Sequence, residues 1–177
     1  VWQALHLVLS TVAVAAALVH VQLIHHYVDL PWKRALWVLM SAGFLVLFLW
    51  VRVLRPVLRT RRPWRVAEVK DQPGDVTAVT LQPVGHSGVS FAPGQFGWLS
   101  VDRSPFAVTQ HPFSFSSNGD DPSRVEVSIK KLGDFTSTIG SVRPGTVAYL
   151  DGPHGVFSPD FHEGPGLVLI AGGVGIG

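Results

Sequence analysis

The sequence predicts two membrane-spanning helices, then an antiparallel β-barrel, then the opening strand of an α/β domain. Three observations carry this. Two apolar runs, Ala4 to Ile24 and Ala35 to Val51, are free of charge and long enough to cross a bilayer. After Pro63 short β-rich runs alternate with Pro and Gly turns. The chain closes on the apolar run Leu167-Val168-Leu169-Ile170 followed by Ala171-Gly172-Gly173-Val174-Gly175-Ile176-Gly177. Composition agrees: of 177 residues, 47% are hydrophobic and 15% charged, with mean hydropathy +0.32, apolar for a soluble domain and dilute for an all-membrane protein. There are no cysteines, which excludes disulfides, thiolate metal sites and cysteine nucleophiles.

The first helix, residues 1–24, carries His6 and His20, fourteen positions apart. At 100° per residue the two rings fall within about 40° of one another and about 21 Å apart along the axis, so one face offers an imidazole toward each side of a bilayer. Imidazole is a good iron ligand, and helical bundles grip cofactors between facing helices, so two stacked haems fit this register. Each histidine could instead hydrogen-bond within a bundle. Residues 25–33 form a short outer loop, where His25 and His26 are expected to be solvated, and Asp29 with Pro31 starts the second helix, 34–54. Trp32, Trp37 and Trp50 lie near its ends as interface anchors.

Arg52, Arg55, Arg59, Arg61, Arg62 and Arg65 follow, so residues 56–64 read as a basic linker on the cytosolic side, outweighing Lys33 and Arg34 on the loop. Nucleic-acid binding is the competing reading of this run, but the run lacks interleaved aromatics beyond Trp64 and abuts an apolar span.

Residues 65–163 are expected to form the barrel. Strands are expected at Trp64–Val69, Asp75–Leu81, Gln95–Val101, Arg124–Ile129 and Thr146–Leu150, with Asp120-Asp121-Pro122 as a hairpin turn. Within it, Gln110-His111-Pro112-Phe113-Ser114-Phe115-Ser116-Ser117 combines a stiff proline, aromatics able to flank a flat ring, and hydroxyls able to hold ribityl or phosphate oxygens. Lys130-Lys131-Leu132-Gly133-Asp134-Phe135-Thr136 brings cations and a glycine to the start of a short helix near Asp134, which suits a pyrophosphate. Residues 164–177 then begin a nucleotide domain, unless the glycine loop is only a strand-ending turn. The missing helix after that loop makes us expect a piece of a longer chain, truncated at both ends. His86, His154 and His162 are expected in turn or surface roles, and Asp102 and Asp151 as loop carboxylates.

These pieces together resemble the ferric reductase and NADPH oxidase superfamily of transmembrane flavocytochromes. The resemblance rests on Trp2-Gln3-Ala4-Leu5-His6 with His20, on His111-Pro112-Phe113-Ser114, on Gly133-Asp134-Phe135-Thr136, on Gly152-Pro153-His154-Gly155 and on Ala171-Gly172-Gly173-Val174-Gly175, in the family's order. It implies six membrane helices with two b-type haems between the third and fifth, then a ferredoxin reductase-like FAD barrel and an NADPH or NADH domain. His6 would then ligate the inner haem and His20 the outer, with partner histidines on helices outside this chain. His111 would contact the adenosine side of FAD, and Pro112 and Phe113 would shape the flavin pocket. Ser114 would hold the flavin or its phosphates, Lys130 the pyrophosphate, and Gly133 and Thr136 the helix-start turn. Gly172, Gly173 and Gly175 would belong to the NAD(P)H loop.

The function implied is electron transfer from cytosolic NAD(P)H, through FAD and two haems, to an external acceptor, oxygen or ferric iron. The protein would be integral to the plasma membrane with its FAD domain cytosolic. No side chain need act as general acid or nucleophile. The alternative is a membrane-anchored flavin-dependent NAD(P)H reductase without haem.

Overall fold

The computed structural model describes every residue except 1, 25–27, 108, 162, 167, 169, 171 and 173–177, and leaves out the side chains of residues 3 and 161. Of the expected closing strand and loop, Leu167, Leu169, Ala171, Gly173 and Gly175 therefore lie outside the described residues, as do His25 and His26. The described chain divides into two compact units, Val1–Val57 and Leu58–Gly177.

In the first unit, α1 spans Trp2–Leu23 and α2 spans Pro31–Leu49. Both lie in helices long and apolar enough to cross a membrane, each with mean hydropathy 2.1. Pro31 sits in the first turn of α2, where its missing N–H is no loss, and Leu30 before it is extended at φ −87° and ψ 134°. Asp29 accepts a hydrogen bond from Leu30 N at 2.8 Å and pairs with Lys33 at 3.6 Å. On α1 the half-buried residues include Leu7, Thr11, Leu18 and Gln22, and on α2 Lys33, Trp37, Ser41 and Phe48. These follow the spacing of one helix face. Thr11 Oγ1 and Ser41 Oγ each donate back to a carbonyl of the preceding turn, Leu7 O at 2.7 Å and Trp37 O at 2.8 Å. Their polarity is thus satisfied without water.

The second helix does not stop at Leu54. A π-helical turn, Trp50–Leu54, leads into α3, Arg55–Thr60. Pro56 explains the change of pitch: its ring clashes with the carbonyl four residues back, and the ladder widens so that Arg55 N bonds Trp50 O. Arg55 and Arg59 therefore lie on a helical turn rather than in an irregular linker.

The second unit holds β1 (Trp64–Gln72), β2 (Val76–Pro83), β3 (Phe96–Val101), β4 (His111–Ser114), β5 (Val125–Lys130) and β6 (Val147–His154), with α4 (Asp134–Thr138) after β5. They form one antiparallel sheet in the order β4-β3-β6-β1-β2-β5. The sheet curls until its two edges meet through the bridge Phe115–Val127, supported by Ser116 N donating to Glu126 O at 2.8 Å. The result is the expected antiparallel barrel architecture, with Val66, Val79, Leu81, Leu99, Val125, Val127, Ile129 and Ile139 fully buried inside. Gly97 permits the curl, since a Cβ there would come within 2.7 Å of Leu150 and 2.8 Å of Phe115.

Several polar groups in and around the sheet are matched. The hydroxyls of buried Thr77 and Thr80 donate to Asp71 at 3.0 Å and Glu126 at 3.1 Å. Hydrogen bonds from Lys131 and Thr77 hold the Asp71 carboxyl below the usual carboxylate range. At the Asp120-Asp121-Pro122 turn, hydrogen bonds from Ser123 do the same for Asp121. His86 bridges Pro63 O, at 3.0 Å from Nε2, and Gly88 N, which donates to Nδ1 at 3.1 Å, so it serves the turn as expected.

The Arg59 guanidinium pairs with the Asp151 carboxylate on β6, their side chains only 16% and 17% exposed. Removing one member leaves a largely desolvated charge. Asp151→Ala is expected to destabilise this unit by about 2 kcal/mol, the buried-pair figure reduced for partial exposure. A thermal unfolding midpoint equal to the parent's would refute this.

Candidate functional site

His111 opens β4, the edge strand paired to β3 with Leu99 opposite His111 and Phe96 opposite Ser114. Strand alternation divides the four residues: His111 and Phe113 are half-buried on one face, while Pro112 and Ser114 are exposed on the other. The closure of the sheet brings this strand beside α4. There the His111 ring lies flat on Phe135, with centroids 4.1 Å apart and planes 6° from parallel. Phe113 completes a three-ring group, 6.5 Å from His111 and 6.3 Å from Phe135.

Gly133 precedes α4 in an extended conformation. Thr136 Oγ1 turns back to accept the amides of Gly133 at 2.8 Å and Leu132 at 3.0 Å. The first α-helical bond is Ser137 N to Gly133 O, at 2.8 Å. The amides of Asp134, Phe135 and Thr136 precede it, as expected for a first turn, and can meet an anion. Thr136 thus shapes the turn with its hydroxyl.

Arg103 belongs to none of the sequence motifs. It follows β3 in a loop, with its guanidinium 5.7 Å from the centroid of Phe135. Together with Thr109, His111, Gly133, Phe135 and Thr136 it lines a cavity of about 540 Å³. The sequence offers no periodic signal for it, because a cation over a ring across a loop leaves none. Ser114 and Lys130 are not brought to this cavity. Ser114 faces the opposite side of β4, and Lys130 ends β5 exposed. Its neighbour Lys131 is bonded to Asp71 at 3.0 Å. The expected site residues Gly172 and, on α1, His6 and His20 are exposed, while Gly173 and Gly175 lie outside the described residues.

One ring nitrogen of a residue that lines the cavity is unmatched. His111 Nε2 is buried with no hydrogen-bond partner among the described residues, a costly state in a folded protein unless a ligand completes it. Burial, and then the nearby charge of Arg103, push the His111 imidazole below its ordinary pKa. It is therefore neutral near pH 7, able to give or accept a single hydrogen bond at Nε2. A flat aromatic stack, one unmatched imidazole nitrogen, a cation and a helix-start turn fit a dinucleotide with a flat ring system and a pyrophosphate.

The lowered pKa has a stability consequence. Below about pH 6.5 the unfolded imidazole takes up a proton that the folded one refuses, so stability is full above that pH and declines as pH falls toward the folded value. His111→Gln should flatten this decline in denaturation curves run at about pH 7.5 and about pH 5.5. An identical pH response in the variant would show that another group causes it.

Several curated proteins are similar to this chain. Among curated relatives, the respiratory burst oxidase homolog protein D of Solanum tuberosum is 27% identical over 171 residues, covering 84% of this chain and 19% of that protein. The reductase component of propane 2-monooxygenase from Rhodococcus jostii is 31% identical over 116 residues, covering 63% of the chain and 30% of that protein. A probable dihydroorotate dehydrogenase B (NAD(+)) electron transfer subunit of Methanopyrus kandleri is 30% identical over 114 residues, covering 64% and 40%. The chain thus spans less than half the length of each of these relatives. Residues 61–156, more than half of the sequence and all six barrel strands, match one family, and this chain belongs to it: the FAD-binding domain family.

Proposed function

We propose that this chain is the flavin-carrying and membrane-anchoring part of an NAD(P)H-dependent oxidoreductase that passes electrons across a membrane to oxygen or ferric iron. The observation that carries the reading is the His111–Phe135 stack beside the α4 turn, with its unmatched Nε2, in a chain of the FAD-binding domain family. The respiratory burst oxidase relative, which aligns over 84% of the chain, supports the oxidase-type reading.

In this proposal FAD, when bound, links two-electron hydride chemistry to single-electron transfer. The chain's own work is to hold it. The first-turn amides of α4 and Arg103 would meet the pyrophosphate, neutral His111 would complete a hydrogen bond to the ligand, and Phe113 and Phe135 would keep that wall apolar. Ser114, on the outer face of β4, would reach the ligand only where it wraps over that edge. Gly172, Gly173 and Gly175 would start the NAD(P)H-binding segment.

His6 and His20 would each supply one axial imidazole to a b-type haem, the other ligand coming from another segment. Both residues are exposed on α1, away from the half-buried Leu7–Thr11–Leu18 stripe, and neither ring is hydrogen-bonded among the described residues. An imidazole with no competing bond suits iron ligation. The basic run from Arg52 would keep the FAD domain on the cytosolic side, in the plasma membrane.

Two outcomes test this. Phe135→Ala should weaken FAD binding at least ten-fold in a flavin-fluorescence titration of the full-length protein, and unaltered affinity would refute the cavity as the flavin site. His20→Ala should roughly halve haem content while FAD is retained; a parent protein without haem absorption would instead mark a haem-free anchored reductase. After anaerobic reduction with NADPH, reoxidation by oxygen alone would identify an oxidase, and by ferric chelate alone a metalloreductase.

A further inference from the structure

A second cavity, of about 380 Å³, adjoins the first and shares two residues with it, Arg103 and Phe135. It lies between the end of β3 and the segment that follows α4, and Arg143 lines it from the far side. The hydroxyls around it have their protons committed: Thr138 donates to Phe135 O at 2.9 Å, Ser141 to Thr138 O at 2.7 Å and Thr146 to Arg143 O at 2.7 Å. Among the lining residues, the side chains that carry N–H donors are Arg103 and Arg143. Neither forms an ion pair among the described residues. Asp102 also lines the cavity, held at φ +52°, and is likewise without an ion pair there. Two planar donor forks against one carboxylate leave a net positive cavity, the arrangement that binds a tetrahedral dianion through paired hydrogen bonds.

We infer that the Arg103–Arg143 cavity is a second anion site that takes a phosphate dianion from solution and opposes FAD binding. The opposition follows from the shared residue. Arg103 cannot direct its donors fully to both cavities, and a dianion in one repels a pyrophosphate in the other. Coupling of this kind is reciprocal, so FAD weakens phosphate binding by the same factor. The coupling, though not the anion site, rests on the proposed FAD site.

The test uses the full-length protein in detergent, with inorganic phosphate as the probe and sodium chloride matching ionic strength. Phosphate is expected to raise the FAD dissociation constant about five-fold, the lower end of ordinary coupling between sites. Arg143→Ala and Arg143→Gln alter the second cavity only and are exposed positions, so each should keep the phosphate-free FAD affinity and lose the phosphate effect. A phosphate effect undiminished in both variants would place the ion in the FAD site itself and overturn the inference, as would no effect beyond that of chloride. Calorimetric titration of phosphate into flavin-free protein reads the anion site separately: binding by the parent and not by Arg143→Ala supports it even if FAD binds elsewhere, and equal heats overturn it.

Discussion

The meeting of the two sheet edges at Phe115 and Val127 is the constraint on which the site depends. β4 and β5 are the outermost strands of the sheet, and without closure both would present unpaired backbone to solvent. Phe115 fills the seam, 4% exposed, with Phe91 against it at 4.4 Å and its amide bonded to Gln95 O at 3.1 Å. Gly97 leaves the room for that ring. Because His111 begins the strand that ends at this seam, and α4 follows the strand on the other side of it, closing the barrel is the same event as assembling the stack. Core packing and site geometry are thus one structural fact.

Much of the barrel was legible because its strands obey alternation and its turns carry Pro and Gly. β1, β2, β3, β5 and β6 fall within a few residues of their expected bounds. β4 did not read as a strand, since Pro112 lies inside it; the strand tolerates proline because it is an edge and needs partners on one side only. At the other proline, Pro56, the opposite happened: the sequence reads as a helix end, whereas the chain absorbs the missing donor in a π turn and stays helical to Thr60. Local rules locate both prolines correctly, but the neighbouring structure decides what each one does.

The site was legible by half for a similar reason. His111, Phe113, Gly133 and Thr136 belong to compact motifs whose residue types state their chemistry. Arg103 became visible only in three dimensions, where the loop after β3 folds over Phe135. The two adjacent lysines show how fine the margin is: Lys131 reaches Asp71, while Lys130 stays exposed at the strand end, and neither lines the cavity. One step of strand phase reverses the direction of a side chain. On α1 and α2, burial explains what the apolar runs alone could not, namely that the stripe shared by the helices excludes His6 and His20 and leaves those rings on an outward face.

The walls of the cavity differ in firmness. The stacked rings stand on a paired strand and a helix turn, whereas Arg103 extends from an exposed loop. An incoming dinucleotide would meet the charge before it meets the shape, because Coulomb attraction acts over several ångströms and stacking acts only at contact. On the proposed reading, capture and retention would fall to different residues. Salt would slow arrival through Arg103 and leave residence time largely to the aromatic group, so the association rate and the dissociation rate of this site can evolve independently.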